Sequence, residues 1–290
     1  MSSPSLSFEF FPPQSPAASL RLWTAVQRLA PFAPSFVSVT YGAGGTTRDR
    51  TKTAIATIRE RARLSVAGHL TCVGATRDET LSVVDDYRKL GVTHVVALRG
   101  DPPKGADRFE AHPEGFSGSV ELVSALKARG DMKIVVGAYP ERHPEATSAD
   151  ADVEHLKRKM DAGADAAITQ FFFDNEDFYR FRDRAVAAGV TIPIWPGILP
   201  VENFTKLQGF AKRCGANIPD WMHAAFANAQ TDEDATLLAT AIASEQCTDL
   251  LEHGVDHLHL YTLNLPDLTA AVCQSVGFEP VPISGATASA

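Results

Sequence analysis

Glu9 is the first residue whose chemistry stands apart from its surroundings. It lies in Ser7-Phe-Glu-Phe-Phe-Pro-Pro, a carboxylate among three phenylalanines at the end of a short alternating run, and the proline pair stops that run as a strand. With Ser7, Glu9 and Phe11 on one strand face, Phe8 and Phe10 turn outward. Apolar rings disfavour an ionised carboxyl, so the pKa of Glu9 is expected to rise and the acid to hold a proton near neutral pH. It then reads as a proton donor in catalysis, or else as a solvated strand-end residue or helix cap.

Polar and ionisable groups recur at the ends of later apolar runs: Thr40 and Tyr41, His69, Arg99-Gly100-Asp101, Tyr139 with His143 beyond it, Gln170, Pro196-Gly197-Ile198, and Tyr261-Thr262. Apolar residues would suffice there for stability, so their convergence points to a binding site. No lysine stands at the end of a run, which argues against Schiff-base chemistry. The final run lacks the glycines of a barrel phosphate site. A glycine and a strand start separate His253 from His257 and His259, which read as surface or barrel-wall histidines; no metal is expected. Gly42-Ala43-Gly44-Gly45 has the wrong spacing for a dinucleotide fingerprint and reads as a flexible loop.

These groups need elements to hold them. Eight strand-like runs occur: Leu6–Phe11, Phe36–Thr40, Ser65–Leu70, His94–Leu98, Lys133–Tyr139, Ala166–Phe171, Ile192–Ile198 and His257–Tyr261, each followed by a helical segment. Glycines at Gly91, Gly163, Gly189 and Gly254 mark helix ends before the next strand. Val83, Tyr87 and Leu90 share one helical face, as do Val153, Leu156 and Met160, and Thr76 to Glu79 spells a capping box. Eight strand–helix units predict an α/β fold, a single-domain (β/α)8 TIM barrel over residues 1–283, with a small, polar, disordered tail at 284–290. Pro102–Ser117 is the longest irregular stretch, of the kind that often carries function.

With 290 residues, 44% of them hydrophobic, the chain can bury a large core. A net charge of -8 and no basic run argue against nucleic acid or anionic membrane as partners. Four widely spaced cysteines without a Cys-x-x-Cys pair fit reduced thiols and a cytoplasmic location.

The set of motifs resembles one family, the flavin-dependent methylenetetrahydrofolate reductases. It comprises Ser7-Phe-Glu-Phe-Phe-Pro-Pro, Phe36-Val-Ser-Val-Thr-Tyr-Gly-Ala, His69-Leu-Thr-Cys, Ala97-Leu-Arg-Gly-Asp-Pro-Pro, Ala138-Tyr-Pro-Glu-Arg-His-Pro-Glu-Ala, Leu156-Lys-Arg-Lys-Met-Asp-Ala-Gly-Ala, Ile168-Thr-Gln-Phe-Phe-Phe-Asp, Pro196-Gly-Ile-Leu-Pro and Tyr261-Thr-Leu-Asn. The resemblance implies a (β/α)8 barrel holding FAD through Tyr41, Ala43, His69, Arg99, Gly100, Asp101, Tyr139, His143, Asp152, His155, Arg158 and Lys159. It further implies a nicotinamide contact at Thr40, with NADH or NADPH reducing the flavin and the flavin reducing methylenetetrahydrofolate. Glu9 would protonate a folate nitrogen and Asp101 would stabilise the developing cation. Gln170 would bond the pterin or nicotinamide, and Phe210 would stack on the folate's benzoyl part or the dinucleotide's adenine. A homo-oligomer is expected on the same grounds, and no S-adenosylmethionine-binding regulatory domain.

Two positions depart from the family pattern. Leu265 stands where many relatives have arginine, and Lys206 where a folate-contacting glutamine is expected. Leucine cannot pair with the folate glutamate; either Lys206 supplies that cation, or the tail is recognised differently, or the pterin carrier is altered. A pterin-binding barrel that transfers a methyl group without redox chemistry, or a non-catalytic barrel scaffold, are the competing readings.

Overall fold

The computed structural model describes residues 3–41, 48–102, 105, 108–130 and 132–281. Among the described residues, nine parallel strands form one sheet: β1 (Ser5–Phe10), β2 (Phe36–Val39), β3 (Val66–Thr71), β4 (His94–Leu98), β5 (Lys133–Ala138), β6 (Ala166–Thr169), β7 (Ile194–Trp195), β8 (Gly197–Ile198) and β9 (His257–Tyr261). Their order, β7-β6-β5-β4-β3-β2-β1-β9-β8, closes a barrel in which β7 and β8 share the seventh place. The expected single strand Ile192–Ile198 is therefore divided, and Pro196 is the reason. Lacking an N–H, it cannot continue the ladder; β7 pairs with β6, β8 pairs with β9, and the Pro196 carbonyl accepts from His259 N at 3.0 Å. The other seven expected strands form within two residues of their predicted ends.

Ten α-helices among the described residues surround the sheet: α1 (Pro16–Leu29), α2 (Arg48–Thr57), α3 (Arg77–Lys89), α4 (Ser119–Arg129), α5 (Ala149–Asp161), α6 (Asn175–Ala187), α7 (Phe204–Cys214), α8 (Asp220–Asn228), α9 (Asp232–Glu252) and α10 (Pro266–Ser275). The capping box before α3 forms as predicted, with Thr76 Oγ1 accepting from Glu79 N at 3.1 Å and Glu79 accepting from Thr76 N at 2.8 Å. Gly91, Gly163, Gly189 and Gly254 all take positive φ at helix ends, where a side chain would be strained.

Strand alternation divides the core in two. Phe8, Phe10 and Leu6 join a large outer cluster packed under the helices. A smaller cluster, Phe36, Ala67, Val96, Val135, Ala166 and Ile168, fills the barrel interior. Ser7, Glu9, Ser38, His69 and His259 share that inward parity, so the strand pattern delivers polar side chains to the barrel axis. Ala43, the rest of the Gly42–Gly45 cluster, part of the Pro102–Ser117 loop and the 284–290 tail lie outside the described residues.

Candidate active site

Glu9 ends β1 inside the barrel. Its Oε2 lies 3.2 Å from His69 Nε2 on β3 and 3.7 Å from His259 Nε2 on β9, and both imidazoles are buried. Neither contact is aligned as a hydrogen bond, which leaves both Nε2 atoms buried without a hydrogen-bond partner. This corrects the expected setting. The neighbouring phenylalanine rings face away, and imidazoles surround the carboxyl instead. Burial raises the Glu9 pKa, but the charge of His69 and the close approach of the His259 and His69 imidazoles outweigh it, holding the carboxyl down to about 2.

The backbone that carries Glu9 is clamped by the Tyr261-Thr-Leu-Asn motif. Thr262 Oγ1 donates to Glu9 O at 2.6 Å; Asn264 Nδ2 donates to Phe11 O, and Asn264 Oδ1 accepts from Phe11 N, each at 2.9 Å. Leu263 and Asn264 both adopt positive φ to make this turn. Tyr261 donates its hydroxyl to Thr169 O at 2.6 Å, tying β9 to the end of β6.

An open cavity of about 570 Å³ lies at the ends of β3, β4 and β5 and along α5; Glu9 and His69 are not among the residues lining it. It gathers Tyr41, Arg99, Gly100, Asp101, Tyr139, His143, Asp152, His155, Arg158 and Lys159, ten of the residues assigned to the cofactor. Lys159 is buried and donates to Gly137 O at 2.6 Å, while Arg158 is exposed and contacts His155 Nδ1 at 3.2 Å. Burial pushes Lys159 down to about 8, and burial followed by the Lys159 and Arg158 charges pushes His155 down to about 4. His143 is lowered chiefly by burial, and its backbone N–H donates to Asp152 at 2.8 Å. Basic groups crowded at such a cost suit an anion. Two further polar atoms on the cavity wall, Tyr41 Oη and Thr71 Oγ1, are buried without partners. Arg99 pairs with Glu145, and Asp101 and Asp152 share the wall, so among the described residues Arg158 and Lys159 are the cations left for an anion; with the open volume, the two histidines and these unused hydroxyls they fit a dinucleotide such as FAD.

Of the remaining predicted residues, Thr40, Gln170, Phe210 and Lys206 are not among those lining the cavity. Thr40 follows β2, and Gln170 follows β6 with its Oε1 accepting from Phe171 N at 3.0 Å. Phe210 on α7 stacks on Phe171 with ring centroids 5.3 Å apart. Lys206 is exposed on the first turn of α7, and Asp101 is exposed at the cavity mouth. His259 was missed as a site residue: its reading as barrel wall holds, but it faces the acid. The signal was present in the matched alternation of Ser5-x-Ser7-x-Glu9 and His257-x-His259-x-Tyr261. Among the described residues no cluster of His, Cys, Asp or Glu could hold a metal ion, and no helix is long and apolar enough to cross a membrane.

A barrel with a buried acid and a polar, dinucleotide-sized cleft at its strand ends defines a barrel enzyme. The comparisons with known proteins go further. The family model described as Methylenetetrahydrofolate reductase matches residues 1–277. The 5,10-methylenetetrahydrofolate reductase of Salmonella typhimurium is 47% identical over 276 residues, covering 95% of this chain and 91% of that protein. The Escherichia coli enzyme of the same name is 46% identical over the same span and shares. Methylenetetrahydrofolate reductase (NADH) 1 of Arabidopsis thaliana is 35% identical, covering 93% of this chain but 48% of its own. Among solved structures, an uncharacterised Clostridium thermocellum protein that binds two copies of 5-methyl-5,6,7,8-tetrahydrofolic acid aligns with TM-score 0.61 at 16% identity, covering 94% of each chain. The chain belongs to the methylenetetrahydrofolate reductase family and is an oxidoreductase.

Proposed function

We propose that this protein reduces 5,10-methylenetetrahydrofolate to 5-methyltetrahydrofolate with NADH or NADPH as donor and FAD in the cleft at the ends of β3, β4 and β5. The observation that carries the reading is the cleft at the barrel's strand ends lined by Arg99, His143, His155, Arg158 and Lys159, in a barrel that also holds the buried Glu9 carboxyl on β1. FAD held there would supply hydride transfer from the nicotinamide to the one-carbon unit of the folate. The chain's own groups supply the rest. Arg158 and Lys159 hold the pyrophosphate, with Arg99, His143 and His155 around it; Tyr41, Ala43, His69, Gly100, Tyr139 and Asp152 complete the cofactor contacts. Glu9 protonates the folate nitrogen whose bond to the one-carbon bridge breaks. Asp101 places negative charge where the cation develops. Gln170 has its Oε1 engaged by the backbone, which leaves its amide N–H groups to donate to a pterin or nicotinamide carbonyl. Thr40 contacts the nicotinamide, Phe210 stacks on whichever aromatic group enters, and Lys206 pairs with the folate glutamate. Both substrates use one site in turn, and the protein works as a cytoplasmic homo-oligomer, a reading supported by its family.

The visible spectrum of purified protein, followed without oxygen, tests this reading. A flavin spectrum should bleach with NADH or NADPH and return with methylenetetrahydrofolate. Glu9→Gln should bleach normally and fail to recover, by 100-fold or more on the scale of about 10²–10⁴ for general acids. Colourless protein that FAD cannot reconstitute would move methyl transfer without redox chemistry to the front.

A further inference from the structure

A proton donor with its carboxyl drawn down to about 2 would be ionised when needed. The residues behind Glu9 bear on this conflict. β1 and β9 pair in parallel with Ser5 opposite His257 and Ser7 opposite His259. Their inward side chains form a hydrogen-bonded file from the barrel floor to His259, next to the acid. Ser5 Oγ lies 3.3 Å from the Asp256 carbonyl oxygen and 2.7 Å from His257 Nδ1. Ser7 Oγ lies 2.8 Å from His257 Nε2 and 2.7 Å from His259 Nδ1. His259 Nε2 then faces Glu9.

Burial drives His257 down to about 3 and lowers His259, so both rings are neutral and each carries one proton. Every link holds one hydrogen, which permits two orientations of the file. In one, Ser5 donates to His257, His257 to Ser7, and Ser7 to His259. His259 Nε2–H is then a buried donor whose nearest acceptor across the gap is Glu9 at 3.7 Å, beyond hydrogen-bond length. In the other, His259 Nδ1–H donates to Ser7, Ser7 to His257 Nε2, His257 Nδ1–H to Ser5, and Ser5 to the Asp256 carbonyl. Every donor in the second orientation has an acceptor within 3.3 Å. A backbone carbonyl can only accept, so it gives the file its direction, and leaving no buried donor unpaired favours that direction.

We propose that the Asp256 carbonyl, acting through Ser5, His257 and Ser7, fixes His259 as the Nδ1–H tautomer, so that a lone pair rather than an N–H faces Glu9 and favours its protonated, donating form. This inference rests on reading Glu9 as the acid. Ser5, Ser7 and His257 are positioning residues, and His259 transmits their setting. The stabilisation of the carboxylate that an N–H on His259 would give is then absent. The other groups facing Glu9 are His69 from β3, Tyr261 from β9 and the Ser38 hydroxyl from β2, whose Oγ is buried and unpartnered. None of these belongs to the file, so its direction is set from the barrel floor alone.

The test is nitrogen NMR on histidine-labelled, FAD-reconstituted protein at pH 7. His257 and His259 should both carry their proton on Nδ1. A proton on Nε2 of His259 would overturn the proposal without recourse to activity. The second measurement uses His257→Phe, which keeps a ring against Phe36, now stacked at 5.8 Å and 3°, while removing both nitrogens. Ser7 is then free to donate to His259 Nδ1. The folate half-reaction should lose its activity at a pH about one unit lower or more, a tenfold effect per unit, while nicotinamide bleaching of the flavin keeps its rate. An unchanged pH profile overturns the proposal, and if the variant does not fold, the nitrogen spectrum of the wild-type protein decides. Glu9→Gln separates the two levels. Folate reduction that survives it sinks the acid reading, whereas an inactive Glu9→Gln with Nε2–H on His259 leaves that reading standing and sinks only this one.

Discussion

At the scale of single residues, Lys159 shows what the cleft is built to receive. Its ammonium is buried, has one carbonyl partner and is pushed to about 8 by that burial, with Asp152 opposing. The folded pKa lies below the ordinary lysine value, so the unfolded chain binds more protons between about 8 and 10.5 and stability rises with pH across that window. Below pH 8 the full cost is present. An entering pyrophosphate reverses this by favouring the charged form. Binding of ADP or FAD should therefore take up a proton near pH 8 and weaken as pH rises beyond it, which calorimetry in buffers of different ionisation heat will read. Lys159→Met should weaken ADP binding about tenfold or more, equivalent to about 1.4 kcal/mol, and abolish the proton uptake. Equal uptake in wild type and variant would assign the effect to another base.

At the scale of elements, the joins between segments matter most. Glu141, in the loop after β5, accepts from Asn217 N with both oxygens at 2.9 and 3.1 Å and so ties that loop to the turn after α7. Burial pushes its carboxyl up to about 7, against the pull of the Asn217 N–H. The sign is opposite to that of a salt-bridged acid. The folded protein holds this proton between pH 4.5 and 7 while the unfolded chain releases it, so stability falls as pH rises through that window. Glu141→Gln should raise the melting temperature at pH 8 by about 2–4 °C, leave it nearly unchanged at pH 4.5, and flatten the curve between. A variant less stable at pH 8 would show that the charge is better solvated than its burial implies. Local signals announced most such joins: the Thr76–Glu79 capping box and the glycine helix ends are written in adjacent residues. The divided seventh strand was legible in Pro196 but not read. The company of Glu9 was hidden because His69 and His259 reach it through strand register, 60 and 250 positions along the chain, and no short pattern encodes an inward neighbour on another strand. The rings beside Glu9 in sequence misled for the same reason, since adjacent strand residues point to opposite faces.

At the scale of the whole molecule, the outer apolar cluster runs without a break from Leu6 on β1 to Cys273 on α10. A shell continuous around a closed barrel gives no helix pair a core of its own, so opening should be cooperative. The cysteines can report this. Burial raises the thiol pKa to about 11 for Cys72 and about 12 for Cys273, and raises Cys247 as well, so few thiolates exist at pH 8 even before access is considered. Labelling of the native protein should therefore be slow at all three buried positions and proceed at one common rate, because Cys72 after β3 and the Cys247 and Cys273 pair on α9 and α10 become reachable in the same event. Mass spectrometry of peptides after timed exposure to a maleimide measures each rate separately. If Cys247 and Cys273 react faster than Cys72, α9 and α10 detach before the barrel opens. The β9 strand between them would then lose its outer packing first, and with it the strand that carries His257 and His259 to the acid.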